Sequence, residues 1–419
     1  MIKDTTSKIF YGYIIVVVSL SILIIMHGTH STYGVFFNSL QEELDSGRAM
    51  ISGASSLTIF FEGLFALAIG GLTDRFGPRL VLTGSGLIFS LGYFLMSKVS
   101  SLWQLYIFYP VIIGIGSSSG NVALLSTTAK WFVKRRGLMS GIVKVGTGIG
   151  IFIMPVVAGW LITDFGWRNT YLVLSIIGVV GIVALAQFLK RDPGQIGLPP
   201  YGLYDADGTI SELATGVQLS LRQTMHTRRF WLVCAAYFLV WYVTYSIMTH
   251  IVVYSTDSGI ALPQAASIIS VVGALSIAGR LVMGSTSDKL GNIRALIICC
   301  MVLTVAMFWL QFAKELWMLY LFAVVYGFAH GGFFTVMSPL VAELFGTISH
   351  GTNFGMVLFL GQIGGAIGPV VTGYIYDVTQ SYQLAFLVLL AASVGAFILS
   401  IAQIRPVQAK SQSHDEATF

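Results

Sequence analysis

Twelve long apolar stretches dominate this 419-residue sequence and restrict the folds open to it. The hydrocarbon core of a bilayer is about 30 Å thick, so a helix that crosses it needs about 20 largely apolar residues. The stretches are continuous rather than alternating, which excludes the strands of a membrane β-barrel. They cover residues 12–37, 53–73, 80–97, 102–129, 138–163, 167–189, 230–256, 262–286, 294–313, 316–342, 351–376 and 382–404. We therefore expect an all-α membrane protein with twelve transmembrane helices.

The composition excludes several other classes of protein. Only 10% of the residues are charged and 55% are hydrophobic, whereas a soluble domain has about 25% charged residues. The basic residues are scattered and form no stripe for nucleic acid. Cys234, Cys299 and Cys300 lie in apolar stretches without metal-ligand spacing, so they are interpreted as small core residues. No metal and no cofactor is expected.

The positive charges predict how the chain is oriented in the membrane. With the N-terminus in the cytoplasm, seventeen of the 23 Lys and Arg residues fall on the cytoplasmic side and four fall outside. Such an excess marks the cytoplasmic loops. Both termini are therefore expected in the cytoplasm. The short tails favour a bacterial inner-membrane protein, multi-pass and monomeric.

One polar connection divides the twelve spans into two groups of six. The division predicts an N-terminal six-helix bundle over residues 1–189, a cytoplasmic linker over 190–229, and a C-terminal six-helix bundle with a short tail over 230–419. The linker is rich in Pro and Gly at first, and its end permits a short helix near 219–226.

A repeated motif relates the two halves. GGLTDRFGPR follows the second span, and GSTSDKLGNIR follows the eighth. Both copies resemble the signature of the major facilitator superfamily, whose members have two parallel six-helix halves with the substrate site between them. The resemblance implies a cytoplasmic latch that is made and broken as the halves rock, while a solvated basic loop is the alternative. The latch residues would be Gly70, Asp74, Arg75, Gly77, Arg79, Asp288 and Lys289.

A second motif is similar to a signature of monocarboxylate transporters. WFVKRRGLMSGIVKVG, residues 131–146, matches the aromatic and basic pattern that opens their fifth helix. Met139, Val143 and Val145 replace alanines of that pattern. The acidic motif that the family has at its first helix is absent, since this chain has FYGY at residues 10–13.

Arg280, within the eighth span, is the principal candidate for binding substrate. A charge at the centre of a span costs about 2.5 to 3.5 kcal/mol on insertion scales, so it normally faces a cavity. Its planar guanidinium suits a carboxylate, to which it donates two parallel hydrogen bonds. The alternative is an arginine that extends to the interface. Monocarboxylate transporters carry a substrate-binding arginine in this span, but Ser276 replaces the aspartate that they have one turn earlier.

The number of cations inside the membrane indicates the charge of the substrate. Apart from Arg280, only Lys144 lies within a span, and we expect its side chain to extend to the cytoplasmic interface. Span eleven has no Lys or Arg, whereas dicarboxylate carriers of the related oxalate–formate group have a second cation there. One fixed positive charge favours a monocarboxylate such as lactate or pyruvate.

Proton coupling requires a group that titrates near neutral pH, as histidine or a desolvated carboxyl can. The candidates, each with a structural role as its alternative, are His250, His330, Glu62 and Asp257. His27 and His30 also lie near mid-depth, where one or both can bond backbone carbonyls. Further substrate contacts are expected from cavity-lining polar and aromatic residues, namely Tyr33, Asn121, His250, Tyr326, Phe328 and Phe359. Tyr33 and Tyr326 are favoured because a buried hydroxyl needs a partner.

The leading hypothesis is proton-coupled symport of a small monocarboxylate by alternating access, in which substrate and proton together neutralise the site. The alternative is exchange of organic anions of the oxalate–formate type without proton coupling, because Ser276 is not an acid. A drug exporter would tolerate loss of Arg280. An enzyme is not expected, because the sequence contains no HExxH, GxSxG or Cys/His ligand set. The expected partners are the acid, the proton and the lipid bilayer.

Overall fold

The computed structural model describes residues 10–46, 48–204, 218–260 and 262–404. In this part of the chain twelve helices are long and apolar enough to cross a membrane. They are α1 (Tyr11–Phe37), α2 (Gly53–Phe76), α3 (Pro78–Met96), α4 (Leu102–Trp131), α5 (Arg136–Phe165), α6 (Trp167–Ala186), α7 (Arg228–Ser255), α8 (Ser267–Leu290), α9 (Asn292–Leu310), α10 (Leu316–Phe345), α11 (His350–Tyr376) and α12 (Tyr382–Ile401). The prediction of an all-α, twelve-helix membrane protein is confirmed.

Several helices contain irregular turns. α1 is interrupted at Thr32. The helical segment that follows, Tyr33–Glu43, extends beyond the membrane-spanning part of α1, which ends at Phe37. In α4 the segment Ile107–Ile113 is π-helical around Pro110. Proline lacks the N–H that an α-helical turn requires, and a widened turn accommodates it within a packed helix. A second π-helical segment, Gly178–Val183, lies in α6.

Most helix packing lies within each half of the chain. In the first half α1 packs against α5, and α4 packs against α2 and α3. In the second half α8 packs against α10, and α7 packs against α11 and α12. The two halves meet where α2 crosses α11 and α5 crosses α8. This arrangement places the α5–α8 crossing, with Arg280, between the halves.

Small residues allow the halves to approach closely. A Cβ added at Gly70 would overlap the carbonyl of Gly351, and a Cβ added at Gly141 would lie 2.6 Å from the carbonyl oxygen of Arg280. Helices in membranes commonly associate through such small residues, because the backbones can then make close van der Waals contact.

These close contacts are concentrated at one end of the molecule. We call the end that carries the α2–α3, α4–α5 and α8–α9 loops the basic end. Among the described residues, the glycine contacts between the halves extend from the basic end to about the middle of the helices, at Gly63 on α2 and Gly148 on α5. Beyond the middle, Gly273 of α8 faces open space. The described glycine contacts between the halves thus lie between the basic end and the middle of the helices, so the halves are closed at the basic end.

The connection between the halves is partly described. The backbone N–H of Tyr201 donates a 2.9 Å hydrogen bond to the carbonyl of Trp131, at the end of α4. The short helix expected near 219–226 is present as Leu221–Met225, with a capping box between Ser220 and Gln223. The acidic residues at 205, 207 and 212 lie outside the described residues.

Candidate functional site

Arg280 lies where α8 crosses α5, and its side chain is only 4% exposed. A Cβ added at Gly148 of α5 would lie 2.7 Å from its Nη1 atom, so the guanidinium rests directly against that glycine. Its Nε and Nη1 atoms have no hydrogen-bond partner among the described residues. Buried donors are normally satisfied, because an unpaired buried polar group is costly. A bound anion would supply the missing acceptors.

Lys144 lies one turn before Gly148 on the same face of α5. It is 7% exposed, and its Nζ atom donates a hydrogen bond to Oδ1 of Asn121 on α4. The ammonium also lies 5.7 Å from the ring centroid of Phe334 on α10. The prediction that this side chain extends to the interface is therefore wrong, because an amide oxygen and an aromatic face hold it in the interior. Asn121 thus lies beside the candidate site as a partner of Lys144.

Two histidines complete this group of basic side chains. Nε2 of His27 on α1 and Nδ1 of His330 on α10 have no hydrogen-bond partner among the described residues. Both rings lie within electrostatic range of Arg280 and Lys144. We call His27, Lys144, Arg280 and His330 the basic cluster. Four helices from both halves contribute to it, as expected of a site that is remodelled when the halves move.

The basic cluster contains no acidic partner in the described part of the chain. Neither Arg280 nor Lys144 forms an ion pair with any Asp or Glu that the structure describes. Ser276, one turn before Arg280, donates its hydroxyl to the carbonyl of Gly273 at 2.7 Å. The cluster therefore has an uncompensated positive charge, which is the electrostatic requirement for an anion site.

Glu62 belongs to a separate polar group on the first-half helices. Its Oε1 atom accepts a 2.6 Å hydrogen bond from Ser117 of α4 and lies 3.9 Å from Nε2 of His30 on α1. The His30 ring stacks on Tyr109, with centroids 5.8 Å apart. The sequence alone does not identify this partner of Glu62, because nothing local links His30 to a glutamate on another helix.

His250 occupies a structural position in the second half. Its Nε2 atom is 3.0 Å from the carbonyl of Pro369 on α11, and its Nδ1 atom is 3.2 Å from the hydroxyl of Tyr382 on α12. Both ring nitrogens are engaged, so His250 joins three helices. Its roles in binding and coupling stay predictions. Asp257, at the end opposite the basic end, accepts a 3.3 Å hydrogen bond from Tyr376.

The tyrosines and phenylalanines that were predicted to contact substrate differ in their surroundings. The hydroxyl of Tyr33 donates to the carbonyl of Ile51 at 2.7 Å, and that of Tyr326 donates to the carbonyl of Thr244 at 3.1 Å. Both hydroxyls donate within their own half, and the contact of these residues with substrate stays a prediction. The ring of Tyr326 nevertheless lies 5.9 Å from His330. Phe328 and Phe359 are both half-buried.

The first copy of the repeated motif contacts the other half. Asp74, at the end of α2, accepts hydrogen bonds from the backbone N–H groups of Gly351 and Thr352, at 3.2 and 2.9 Å. It also pairs with Lys130 of α4 at 3.0 Å. Gly351 and Thr352 belong to the first turn of α11, where free N–H groups and the helix dipole favour a carboxylate. Asp74 therefore caps a helix of the opposite half.

The second copy repeats this arrangement with the halves exchanged. Asp288, at the end of α8, accepts hydrogen bonds from the N–H groups of Gly137 and Leu138, at 2.7 and 2.8 Å, in the first turn of α5. In both copies of the motif, the bonds that this aspartate makes across the halves are thus carboxylate caps on helix N-termini.

The other motif residues act within their own half. Arg79 donates to Oε1 of Gln187 at 2.8 Å, and Arg75 stacks 5.1 Å from the centroid of its neighbour Phe76. Gly77 takes a φ of +83°, which favours glycine between α2 and α3. Lys289 is exposed.

Comparison with known proteins places this geometry among membrane transporters. Residues 18–313 and 259–418 match the Major Facilitator Superfamily. Monocarboxylate transporter 13 of Rattus norvegicus is 26% identical over 394 residues, which cover 93% of this chain and 87% of that protein. The uncharacterized MFS-type transporter YhjX of Escherichia coli is 27% identical over 342 residues, covering 80% of this chain and 81% of that protein.

Solved structures share the fold at low sequence identity. The human organic anion transporter MFSD10 superimposes with a TM-score of 0.75 at 14% identity, covering 93% of this chain and 99% of that one. The fucose:proton symporter FucP of E. coli gives a TM-score of 0.69 at 13% identity, covering 93% and 98%.

Proposed function

Because the chain belongs to the Major Facilitator Superfamily, we propose that it transports small monocarboxylates of the lactate or pyruvate type, by proton symport through alternating access. The observation that carries this proposal is Arg280, a buried guanidinium between the halves with two unfilled donors. A carboxylate fits such a group because its two oxygens accept parallel hydrogen bonds from the planar fork. The similarity to monocarboxylate transporters supports the same substrate class.

The arrangement of the halves supports the transport cycle. With the basic end closed, an acid would reach Arg280 from the opposite end. The Asp74 and Asp288 caps would break when the basic end opens, and the small-residue crossings would separate. Arg280 lies at such a crossing, so occupancy of the site and the position of the halves are mechanically linked.

A second candidate is exchange of dicarboxylates without proton coupling, as in the oxalate–formate group. The observation that favours it is Lys144, which is buried one turn from Gly148 and so provides a second cation beside Arg280. Two permanent positive charges would suit two carboxylates. Monocarboxylate symport remains the main proposal because lysine, unlike arginine, can lose its proton inside a protein.

A thermal-shift panel on purified protein distinguishes the two candidates. Lactate and pyruvate are compared with oxalate and malonate, on the wild type, on Arg280→Ala, and on Arg222→Ala as a control on the exposed side of the linker helix. We expect monocarboxylates to raise the Tm of the wild type and of the control but not that of Arg280→Ala. Stabilisation by the dicarboxylates alone would favour exchange, and equal stabilisation of Arg280→Ala would overturn the proposal.

A further inference from the structure

Lys144 is a lysine of the basic cluster whose charge the main mechanism described above leaves unassigned. It is buried, and its recorded partners are the Asn121 amide oxygen and the Phe334 ring. Gly148, which contacts Nη1 of Arg280, lies one turn further along the same helix. The lysine nitrogen and the guanidinium therefore belong to one enclosed region.

The groups that face Lys144 come from four helices. They are His27 of α1, Asn121 of α4, Arg280 of α8, and His330 with Phe334 of α10. All the ionisable groups in this set are basic. Glu62 contacts Ser117 and His30 instead. In the described part of the chain, Lys144 therefore has like charges around it and no counter-ion.

This environment makes the charge of Lys144 depend on whether an anion is bound. Two neighbouring buried cations repel each other, and an unpaired buried charge is costly. A carboxylate bound at Arg280 replaces the repulsion by attraction, so it favours the ammonium form over the amine. By reciprocity, a protonated Lys144 strengthens binding of the carboxylate by the same factor.

We infer that Lys144 is the residue that takes up the coupling proton, and that its protonation and the binding of an acid at Arg280 promote each other. This inference rests on the proposed function. The step is the addition of one proton to the neutral amine, Lys–NH₂ + H⁺ → Lys–NH₃⁺, as one carboxylate binds. The empty cluster then holds one positive charge on Arg280, and the loaded cluster holds two positive charges and one negative charge.

Equal net charge in the empty and loaded states has a mechanistic consequence. The protein can change between its outward-facing and inward-facing forms with the cluster empty or loaded. In neither case does the change move an extra charge into the low-dielectric interior. The inference also accounts for Ser276, because the site needs no carboxyl group there to carry the proton.

The test is calorimetric titration of the wild-type protein with pyruvate, in buffers of different ionisation enthalpy at neutral to mildly alkaline pH. For the wild type we expect uptake of about one proton per pyruvate, and affinity that falls by up to about tenfold per pH unit once the empty-site lysine is neutral. Lys144→Arg, which stays charged, should bind pyruvate without proton uptake and with little pH dependence. Lys314→Arg, at an exposed lysine of the α9–α10 loop, is the matched control and should retain the uptake.

The outcomes separate this inference from the proposed function. Proton uptake retained in Lys144→Arg, or lost to the same extent in Lys314→Arg, would overturn the role of Lys144 while Arg280-dependent binding still stood. If neither pyruvate nor lactate binds to the wild type, the proposed function fails and the inference fails with it. Lys144→Gln serves if the arginine variant does not fold, and it too should bind without proton uptake.

Discussion

At the scale of single residues, the proposed function depends on how Arg280 is held. The guanidinium lies directly against Gly148, which has no side chain, and its Nε and Nη1 donors have no partner among the described residues. A cation that is already desolvated and oriented has less to lose when a carboxylate binds, because its desolvation takes place during folding and not on binding. The proposed site is therefore preorganised for an anion.

The substitution Gly148→Ala tests this positioning. The new Cβ would lie 2.7 Å from Nη1, so the flexible end of Arg280 must shift while the backbone does not. We expect pyruvate affinity to fall by about tenfold, which corresponds to about 1.4 kcal/mol, with little change in Tm. Gly84→Ala on α3, where a Cβ meets nothing within 4 Å, is the control. Unchanged affinity in Gly148→Ala would argue against contact between the ligand and this guanidinium.

A second substitution, Asn121→Asp, tests the charge of Lys144. An aspartate in place of the amide would pair with the ammonium and hold it charged in the empty site. We therefore expect proton uptake on pyruvate binding to disappear, and affinity to fall because the new carboxylate competes with the substrate. Calorimetry in two buffers measures both effects. Proton uptake equal to that of the wild type would contradict the account.

At the scale of helices, the closed basic end is held by two carboxylate caps related by the internal repeat. Asp74 caps α11, and Asp288 caps α5. A cap of this kind contributes about 0.5 to 2 kcal/mol. Two caps of this size are strong enough to favour one state and weak enough to be broken in each transport cycle.

Removing either cap should therefore shift the balance toward the form that is open at the basic end. For Asp74→Ala or Asp288→Ala we expect about a fivefold rise in that population, from the loss of about 1 kcal/mol. The readout is thiol labelling of a cysteine introduced at Ser338, a buried residue whose hydroxyl contacts Leu125 across the halves. Arg79→Gln should leave the labelling rate unchanged, because Arg79 bonds within its own half. An equal increase in Arg79→Gln would show that the effect is not specific to the caps.

Much of the helical framework could be predicted from the sequence, because continuous apolar stretches report directly on membrane helices. Arg280 was also predictable, since a single charge in a helix of small residues has few explanations. The position of Lys144 was not, because depth along α5 does not show that Asn121 and Phe334 converge on it from other helices. The contacts of His250 could not be predicted for the same reason: its partners, Pro369 and Tyr382, lie more than a hundred residues away.

At the scale of the whole molecule, the basic cluster lies between two halves that are closed at the basic end. His27 and Lys144 belong to the first half, and Arg280 and His330 to the second. Any movement of one half relative to the other changes the distances within this set, and any bound anion changes its electrostatic energy. Transport and coupling are thus expected from the same four side chains.

Uptake of labelled pyruvate into proteoliposomes under an imposed pH gradient is the most direct test of the central claim. The account predicts accumulation driven by the proton gradient in the wild type, at least a tenfold loss in Arg280→Ala, and uptake in Lys144→Arg that no longer responds to the gradient. Full gradient-driven accumulation by Arg280→Ala would contradict the account.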